Sequence, residues 1–528
     1  MQECETLQAG KLLYSVIAVP RTFINSGLEQ RSESPSFLPI QREMQRQESC
    51  EGSCLVLLAL AVLTGAWFRF HALAHKSFWF DEGFSVGVAR LDWPNLLHLL
   101  WLREANMALY YVLLKVWLGF GISEFHVRSL SVVFGLAAIP VIYSLGSRLF
   151  GARAGLVAAA LLSVNAFHVR YAQEARGYTL LVFMSALCSL LWVRCIEDPE
   201  PRNWWLYTLA SVLTVYSHFY GILVVLAHWI SLTLVPRENR PGAASLRYLR
   251  YSAYALLPIA IFLWRTGTQP MNWLHRPDGP ILRHFFQSLT GNGGPLLLGL
   301  IALAWIAAAY GRFRSDKRQR WGYDFLFLWL AFPIAAVVAL SQFKSIFLAR
   351  YLIVCLPASV LLAAAGISRL RSFVQAGLVM AILALSIGGV YSYYQRDFDV
   401  GRDDWRGATQ YVLAHAEPGD GIFFYSAPGR MTFEYYRLLS GKTGPEIIYP
   451  FSGKQITYRD LLVTPLAEVL QNPLPQPKRV WLFLNEHRPS GHFDMASEVL
   501  CAWYGRRYKR VEKRSVDEID ILLYSSSP

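Results

Sequence analysis

Long apolar runs separated by short polar loops dominate the chain between residues 54 and 393. Eleven of these runs approach the roughly 20 residues that a membrane-spanning helix needs. They lie at 54–72, 128–148, 153–169, 177–195, 203–218, 219–236, 248–264, 295–311, 324–341, 346–366 and 373–393. A shorter run, 108–120, carries Lys115 and is typical of a helix at the membrane interface. The pattern predicts an α-helical polytopic membrane protein with about eleven transmembrane helices.

The two ends of the chain follow other patterns. Residues 1–53 are polar and aperiodic, which predicts a disordered cytoplasmic tail. After residue 394 helical and strand-like segments alternate: helices near 404–415 and 430–439, and strands at 421–426, 480–484 and 519–524. We therefore expect three parts: a tail (1–53), a transmembrane domain (54–394) and a small extracytoplasmic α/β domain (395–528).

Composition and charge support a membrane protein. Of the 528 residues, 54% are hydrophobic and only 16% are charged, a balance too apolar for a soluble globular protein. The net charge of +13 would suit a nucleic-acid partner only if it formed a basic face on a soluble domain. The basic residues lie instead between the apolar runs, so no nucleic-acid partner is expected. The seven cysteines are scattered and imply no disulfide framework.

The positions of the basic residues predict the orientation. Arginines and lysines fall in alternate loops, on the side of the N-terminal tail, which should be cytoplasmic. The opposite, outer face then receives five polar segments, which could together line one cavity. These are Asp81 with Glu82, Tyr171 to Tyr178, His218 to Gly221, the loop 265–294 and the link 342–347. The expected location is a bacterial inner membrane, with the C-terminal domain and the cavity outside.

The first candidate site is the pair Asp81 and Glu82, which is surrounded in sequence by Phe78, Trp79, Phe80 and Phe84. Adjacent acids in a loop are usually a solvated surface feature. Aromatic neighbours close to a membrane face favour partial burial instead, and burial makes a carboxylate a better base. The pair is therefore a candidate for acid-base chemistry.

Five further residues have both a structural and a functional interpretation. Glu174 and Arg176 could belong to an interfacial belt, but an ionisable group at a helix end near lipid tends to face a cavity or a partner. Lys344 and Arg350 could simply extend toward lipid headgroups, or could bind a lipid-linked phosphate. His218, among aromatics, is more often a packed residue than a ligand.

Four motifs resemble the GT-C polytopic glycosyltransferases, in the branch of protein O-mannosyltransferases and of aminoarabinose transferases that modify lipid A. They are Phe80-Asp81-Glu82, Asn106-Met107-Ala108-Leu109-Tyr110-Tyr111, Tyr171-Ala172-Gln173-Glu174-Ala175-Arg176 and Ala349-Arg350-Tyr351-Leu352. In the second motif, Met107 and Ala108 stand where the family has two prolines. The resemblance covers roughly residues 54–395, and the C-terminal domain is similar to those of bacterial members.

The resemblance implies a membrane glycosyltransferase with a polyprenyl-phosphate sugar donor, hexosyl or pentosyl, and a hydroxyl acceptor on a lipid, glycan or protein. It implies inverting displacement with Asp81 as base, Glu82 and Glu174 positioning the reactants, and Arg176, Lys344 and Arg350 neutralising the phosphate. Further substrate-binding candidates are Asn106, Tyr171, His218 and Tyr351. No cofactor is required by this chemistry; a divalent cation is left open, and membrane lipids are expected partners.

Two other functions fit parts of the pattern. A multi-pass transporter or lipid flippase could use the outer carboxylates to bind a coupling ion, but it would predict inverted repeats, and the sequence contains no convincing repeat. The helices could also merely anchor an α/β binding domain. Eleven apolar runs and a separate acid cluster exceed what an anchor needs.

Overall fold

The structure is a computed structural model of the 528-residue chain. It describes residues 38–266, 276–395, 404–424, 427–449, 470, 475–484, 495–517 and 519–526. Part of the predicted tail (1–37) and part of the predicted loop 265–294 (267–275) lie outside these ranges. Within the predicted tail, helix is present from Leu38 onwards.

The described part of the chain up to residue 395 is almost entirely helical. In chain order its α-helices are α1 (Leu38–Phe70), α2 (Phe80–Arg90), α3 (Trp93–Leu102), α4 (Ala108–Trp117), α5 (Glu124–Phe150), α6 (Ala152–Ser163), α7 (Ala166–Ala172), α8 (Tyr178–Glu197), α9 (Pro201–Ser217), α10 (Gly221–Ser231), α11 (Ala243–Ala255), α12 (Leu257–Thr266), α13 (Gly279–Thr290), α14 (Gly294–Phe313), α15 (Lys317–Phe343), α16 (Leu356–Ile367) and α17 (Ser372–Gln395). Short 3-10 helices at Ala105–Met107 and Tyr351–Cys355 precede α4 and α16.

Six helices in the described ranges are long and apolar enough to cross a membrane, and seven if the bent pair α6 and α7 forms one span. The prediction of a multi-pass membrane protein is thus confirmed. Each of the eleven predicted runs lies on helix, but several are short or interrupted. The run 248–264, for example, is divided between α11 and α12, and two shorter apolar helices occupy Gly221–Leu234 and Tyr351–Ile367.

A buried arginine from α1 occupies the break between α6 and α7, where the chain bends by 59°. Arg69 is fully buried and donates to the carbonyls of Leu162 and Ser163, at 3.1 and 2.8 Å, and lies 2.7 Å from His168 Nδ1. The last carbonyls of a helix lack partners within the helix, so the guanidinium satisfies them in place of water. This bend directs the chain after α7 toward α2.

The C-terminal domain contains a five-stranded mixed sheet. Its elements are α18 (Trp405–His415), β1 (Gly421–Phe424), α19 (Ala427–Ser440), β2 (Glu446–Tyr449), β3 (Arg479–Leu484), α20 (Met495–Gly505), β4 (Lys509–Val516) and β5 (Ile519–Ser525). The strand order is β2-β1-β3-β5-β4. β1 pairs in parallel with β2 and β3, while β5 pairs antiparallel with β3 and β4. The small α/β domain is confirmed; β2, α20 and β4 were not predicted.

Alternating side chains give this sheet two apolar faces. Phe424 and Phe483 pack against Phe433 of α19, while Phe423 packs against Tyr504 of α20. The sheet therefore lies between α19 on one side and α20 on the other.

The opposite face of α19 packs directly on α2. A Cβ added at Gly83 would lie 1.9 Å from Thr432 Oγ1, and one added at Gly87 would lie 2.5 Å from Met431 Sδ. Glycines one helical turn apart thus allow the two helices to approach closely. The C-terminal domain supports the helix that carries Asp81.

Polar contacts beside α2 strengthen this docking. The Phe78 N–H donates to the Tyr436 hydroxyl at 2.6 Å, and Arg406 pairs with Glu124 at 2.5 Å. The Tyr435 hydroxyl donates to the Ile122 carbonyl at 2.9 Å. Residues of α18 and α19 therefore hold both the approach to α2 and the start of α5.

Candidate active site

Asp81 lies in the first turn of α2 and faces two arginines. Its Oδ2 is 3.8 Å from Arg176 Nη2 and 3.6 Å from Arg350 Nη2. The Asp81 side chain is 23% exposed, whereas those of Arg176 and Arg350 are 10% and 20% exposed. Two cations and one carboxylate, all partly accessible, thus converge from three distant segments of the chain.

Arg176 is held in place from α2 and α4. Its Nη1 donates to Ser85 Oγ at 3.1 Å and to the Tyr111 hydroxyl at 3.4 Å. The segment between α7 and α8 carries Arg176, so the bend at the end of α6 determines where this guanidinium lies. These contacts fix one edge of the guanidinium and orient the other toward Asp81.

Arg350 precedes the 3-10 helix Tyr351–Cys355 and stacks near aromatic rings. Its guanidinium carbon lies 5.5 Å from the centre of the Trp79 ring and 5.9 Å from that of Tyr351. A planar guanidinium held against aromatic faces keeps its N–H groups free to bind an anion in the plane. Trp79, at the N-cap of α2, therefore links Arg350 to the helix of Asp81.

Glu82 points away from Asp81 into the protein interior and is fully buried. Its two oxygens accept from Arg128 Nε and Nη2 at 2.8 and 2.7 Å, and Oε1 also accepts from the Ala175 N–H at 2.8 Å. This bidentate pair joins α2, α5 and the segment before Arg176. A catalytic role for Glu82 stays a prediction, and the geometry favours a structural one.

Glu174 and Tyr171 lie behind Arg176. Glu174 is buried and its Oε1 lies 3.5 Å from Arg170 Nε. This ion pair joins Glu174 to a residue four positions earlier in the chain. Tyr171 is also buried, and its ring lies 4.8 Å from that of Tyr178. Tyr178 in turn stacks toward Tyr351 at 6.3 Å, so this aromatic row connects the two arginine-bearing segments.

His218 and Asn106 join a third segment to the site. Asn106 Oδ1 accepts from the Phe219 N–H at 3.1 Å, and its Nδ2 lies 3.3 Å from His218 Nε2. The His218 ring is 4.5 Å from that of Tyr351. Burial, together with the charges of Arg176 and Arg350, lowers the pKa of His218 to about 3, so the imidazole is neutral at neutral pH.

Glu104 is a site residue that the sequence analysis missed. It lies between α3 and Asn106 and is half-buried. The pKa of its carboxyl is raised to about 7, chiefly by burial and in part by the charge of Asp81. Arg176 and a hydrogen bond with Tyr111 oppose this rise. In the sequence, only its position two residues before Asn106 could have indicated that Glu104 belongs to the site. The burial that shifts its pKa arises from tertiary packing.

Lys344 does not join this group. It is exposed after the end of α15 and forms no ion pair with any residue that the structure describes. The link that follows it does reach the site, because the Tyr220 hydroxyl donates to the Ile346 carbonyl. Within the described ranges, no group of three or more His, Cys, Asp or Glu side chains is placed to hold a metal ion.

Comparisons with known proteins concern one segment of the chain and its fold. A family model for dolichyl-phosphate-mannose-protein mannosyltransferases matches residues 105–264. No curated protein sequence matches the chain significantly. The fold is similar to that of ArnT from Cupriavidus metallidurans in the apo state, with a TM-score of 0.58, 13% sequence identity and coverage of 91% of this chain and 99% of that one. The fold is similar to that of the GT-C glycosyltransferases.

The GT-C likeness extends over both parts of the protein. ArnT from the same organism bound to undecaprenyl phosphate matches with a TM-score of 0.57 and 13% identity, over 90% of this chain and 98% of that one. The GT-C resemblance drawn from the four motifs is thereby confirmed. The mannosyltransferase model includes Asn106, Arg176 and His218, whereas Asp81 and Arg350 lie outside the matched residues. The roles of these individual residues stay predictions.

Proposed function

We propose that this protein is a membrane glycosyltransferase that moves a sugar from a polyprenyl-phosphate donor to an acceptor hydroxyl at the outer face of the membrane. The observation that carries the proposal is the group formed by Asp81, Arg176 and Arg350. A base and two cations suffice for this reaction, because phosphate is a good leaving group that needs charge neutralisation more than a proton. The solved ArnT structure with undecaprenyl phosphate supports this donor class.

The donor phosphate would lie between Arg176 and Arg350. In the free protein the Asp81 carboxylate occupies the space next to both guanidiniums, at distances longer than a tight charged hydrogen bond. The donor phosphate is a diester with one negative charge and two free oxygens, which accept from both guanidiniums, and the charge on it grows as the bond to the sugar breaks. When it binds, the guanidiniums turn from Asp81 to the phosphate oxygens, and the carboxylate is left to accept the proton of the acceptor hydroxyl.

The chemical step is then an inverting displacement. The acceptor oxygen attacks the anomeric carbon while its proton passes to Asp81, and the bond between that carbon and the phosphate oxygen breaks. The electron pair of the broken bond remains on the polyprenyl phosphate, where Arg176 and Arg350 stabilise the charge. His218, neutral and held by Asn106, together with Tyr351 would contact the sugar.

Two assays on the full-length protein in lipid nanodiscs test the proposal. The first measures binding of undecaprenyl phosphate, and the second measures transfer from a panel of polyprenyl-phosphate hexoses and pentoses to membrane extracts. Asp81→Asn should bind undecaprenyl phosphate at least as tightly as the parent, because a competing negative charge is removed. It should lose transfer by about 10²- to 10⁴-fold, the usual contribution of a positioned base.

Asp92→Asn is the matched control. Asp92 caps α3 by accepting from the Asn95 N–H at 2.8 Å, and asparagine caps a helix about as well. This variant should bind and transfer like the parent. Transfer by Asp81→Asn at the rate of the parent would show that Asp81 is not the base.

A further inference from the structure

A cavity lies behind the Asp81 site, where the first and last membrane helices end. It has a volume of about 280 Å³ and is lined by the loop after α1 and by the end of α17. Arg128 forms part of its wall and turns its guanidinium toward Glu82. The buried Arg128–Glu82 pair therefore separates this cavity from Asp81, so the two spaces can bind different groups.

The loop 71–77 presents side-chain donors to the cavity. His71, His75 and Lys76 line it, and none of the lining residues that the structure describes is acidic. The Lys76 ammonium lies 4.4 Å from the centre of the Tyr393 ring. The His71 ring lies 5.1 Å from that of Tyr394. Two residues of α17 thus hold a cation and an imidazole at the cavity wall.

The carbonyl oxygens of this loop are all engaged by other donors. Gln173 donates to the carbonyl of residue 71, and the His75 N–H donates to that of residue 72. Arg128 donates to the carbonyls of residues 73, 76 and 77, and Arg406 donates to those of residues 74, 75 and 76. Lone pairs that would repel an anion are therefore occupied. The loop reaches this shape with Ala72 at a φ of 54°, a left-handed conformation that is uncommon for alanine.

The depth of the cavity matches that of lipid phosphates. The first membrane helix ends at Phe70 and the last at Gln395, directly beside it. Trp67 stacks on His71 at 5.8 Å, and tyrosines of α17 complete an aromatic girdle. Tryptophan and tyrosine mark the membrane–water interface, where headgroups lie.

We propose that this cavity binds the phosphate of a membrane-lipid headgroup, as a site separate from the one beside Asp81. Lys76, His71 and His75 would donate to the phosphate oxygens, and the acyl chains would run along the outward surfaces of α1 and α17. Such a lipid would bridge the first and last membrane helices. It would also press on the loop that leads into α2.

Native mass spectrometry of the full-length protein tests this site without relying on sugar transfer. The parent should retain added phosphatidylglycerol, and Lys76→Gln should weaken that binding by about tenfold or more, since a hydrogen bond to a charged group is lost. Lys76→Arg keeps the charge and should retain most of the affinity. Thermal unfolding of each variant reports whether it is folded.

The control cation is Arg265, which is exposed, lies 5.5 Å from the centre of the Trp101 ring and is not among the residues that line this cavity. Arg265→Gln should leave phosphatidylglycerol binding unchanged. The proposal would be overturned if Lys76→Gln bound phosphatidylglycerol as tightly as the parent. It would also be overturned if Arg265→Gln lost as much affinity as Lys76→Gln. Inorganic phosphate at millimolar concentration should not displace the lipid; displacement would show a site for free phosphate instead.

Discussion

The two neighbouring acids at the start of α2 face two different regions of the protein. Asp81 faces a partly accessible space and lies 3.6 to 3.8 Å from two arginines, which reach it from separate segments. Glu82 faces the interior, where Arg128 binds both of its oxygens at 2.7 to 2.8 Å. Successive positions on a helix point about 100° apart, so adjacent residues of similar chemistry can serve opposite purposes. One acid is available to react, and the other holds the helix in place.

The largest effect that separates these two regions should come from Glu82→Gln. The change leaves Arg128 buried without a compensating charge, and breaking a buried pair in this way costs about 3–5 kcal/mol. Asp81→Asn is its matched control, since it makes the same chemical change one residue away at a position that water reaches. Thermal unfolding in detergent should show a large loss for Glu82→Gln only, and equal losses would refute the assignment of a structural role to Glu82.

Arg350→Gln tests the accessible region. It should weaken binding of undecaprenyl phosphate by about 10- to 100-fold, because a charged hydrogen bond contributes about 1.5–3 kcal/mol. Lys344→Gln, six residues earlier but exposed and outside the cluster, should change the affinity less than about fivefold. A titration with undecaprenyl phosphate in nanodiscs measures both. A larger effect at Lys344 would show that donor binding draws the link toward the site.

Gly83→Ala tests the side of α2 that the C-terminal domain covers. Its new Cβ would clash with Thr432, so stability should fall by about 1–3 kcal/mol and transfer should decline with it. Gly388→Ala, in α17 with nothing within 4 Å of the added Cβ, makes the same change without a clash. Unfolding and transfer assays should separate the two variants. Full activity in Gly83→Ala would mean that the docking of α19 does not position Asp81.

Glu104→Gln should have the smallest effect, visible as a change in pH dependence. The Glu104 carboxyl, with its pKa raised to about 7, is neutral below that pH and ionises above it. Its charge would then repel a donor phosphate and compete for Arg176, so the parent should lose affinity as the pH rises through about 7. The glutamine variant should lack that step. The stability of the fold should also fall as the pH rises. The unfolded chain releases the Glu104 proton near pH 4.5, whereas the folded protein holds it up to about pH 7, so the loss accumulates between these two pH values.

The sequence predicted the accessible side of α2 better than the buried side. Charge alternation placed Asp81, Arg176 and the link that Arg350 flanks on one face, and the three charged residues do converge. It could not show that Glu82 would be buried, because its partner Arg128 lies 46 residues away inside an apolar run. The edge strand β4 was missed for a related reason, since its exposed, charged residues lack the alternation that predicts a strand.

The order of the strands has a consequence for the biosynthesis of the protein. β5 lies inside the sheet, between β3 and β4, although it follows both in the chain. Until the ribosome has made β5, the sheet on which α19 packs lacks an interior strand. The nascent chain therefore contains Asp81 and its two arginines well before the domain that packs on α2 is complete.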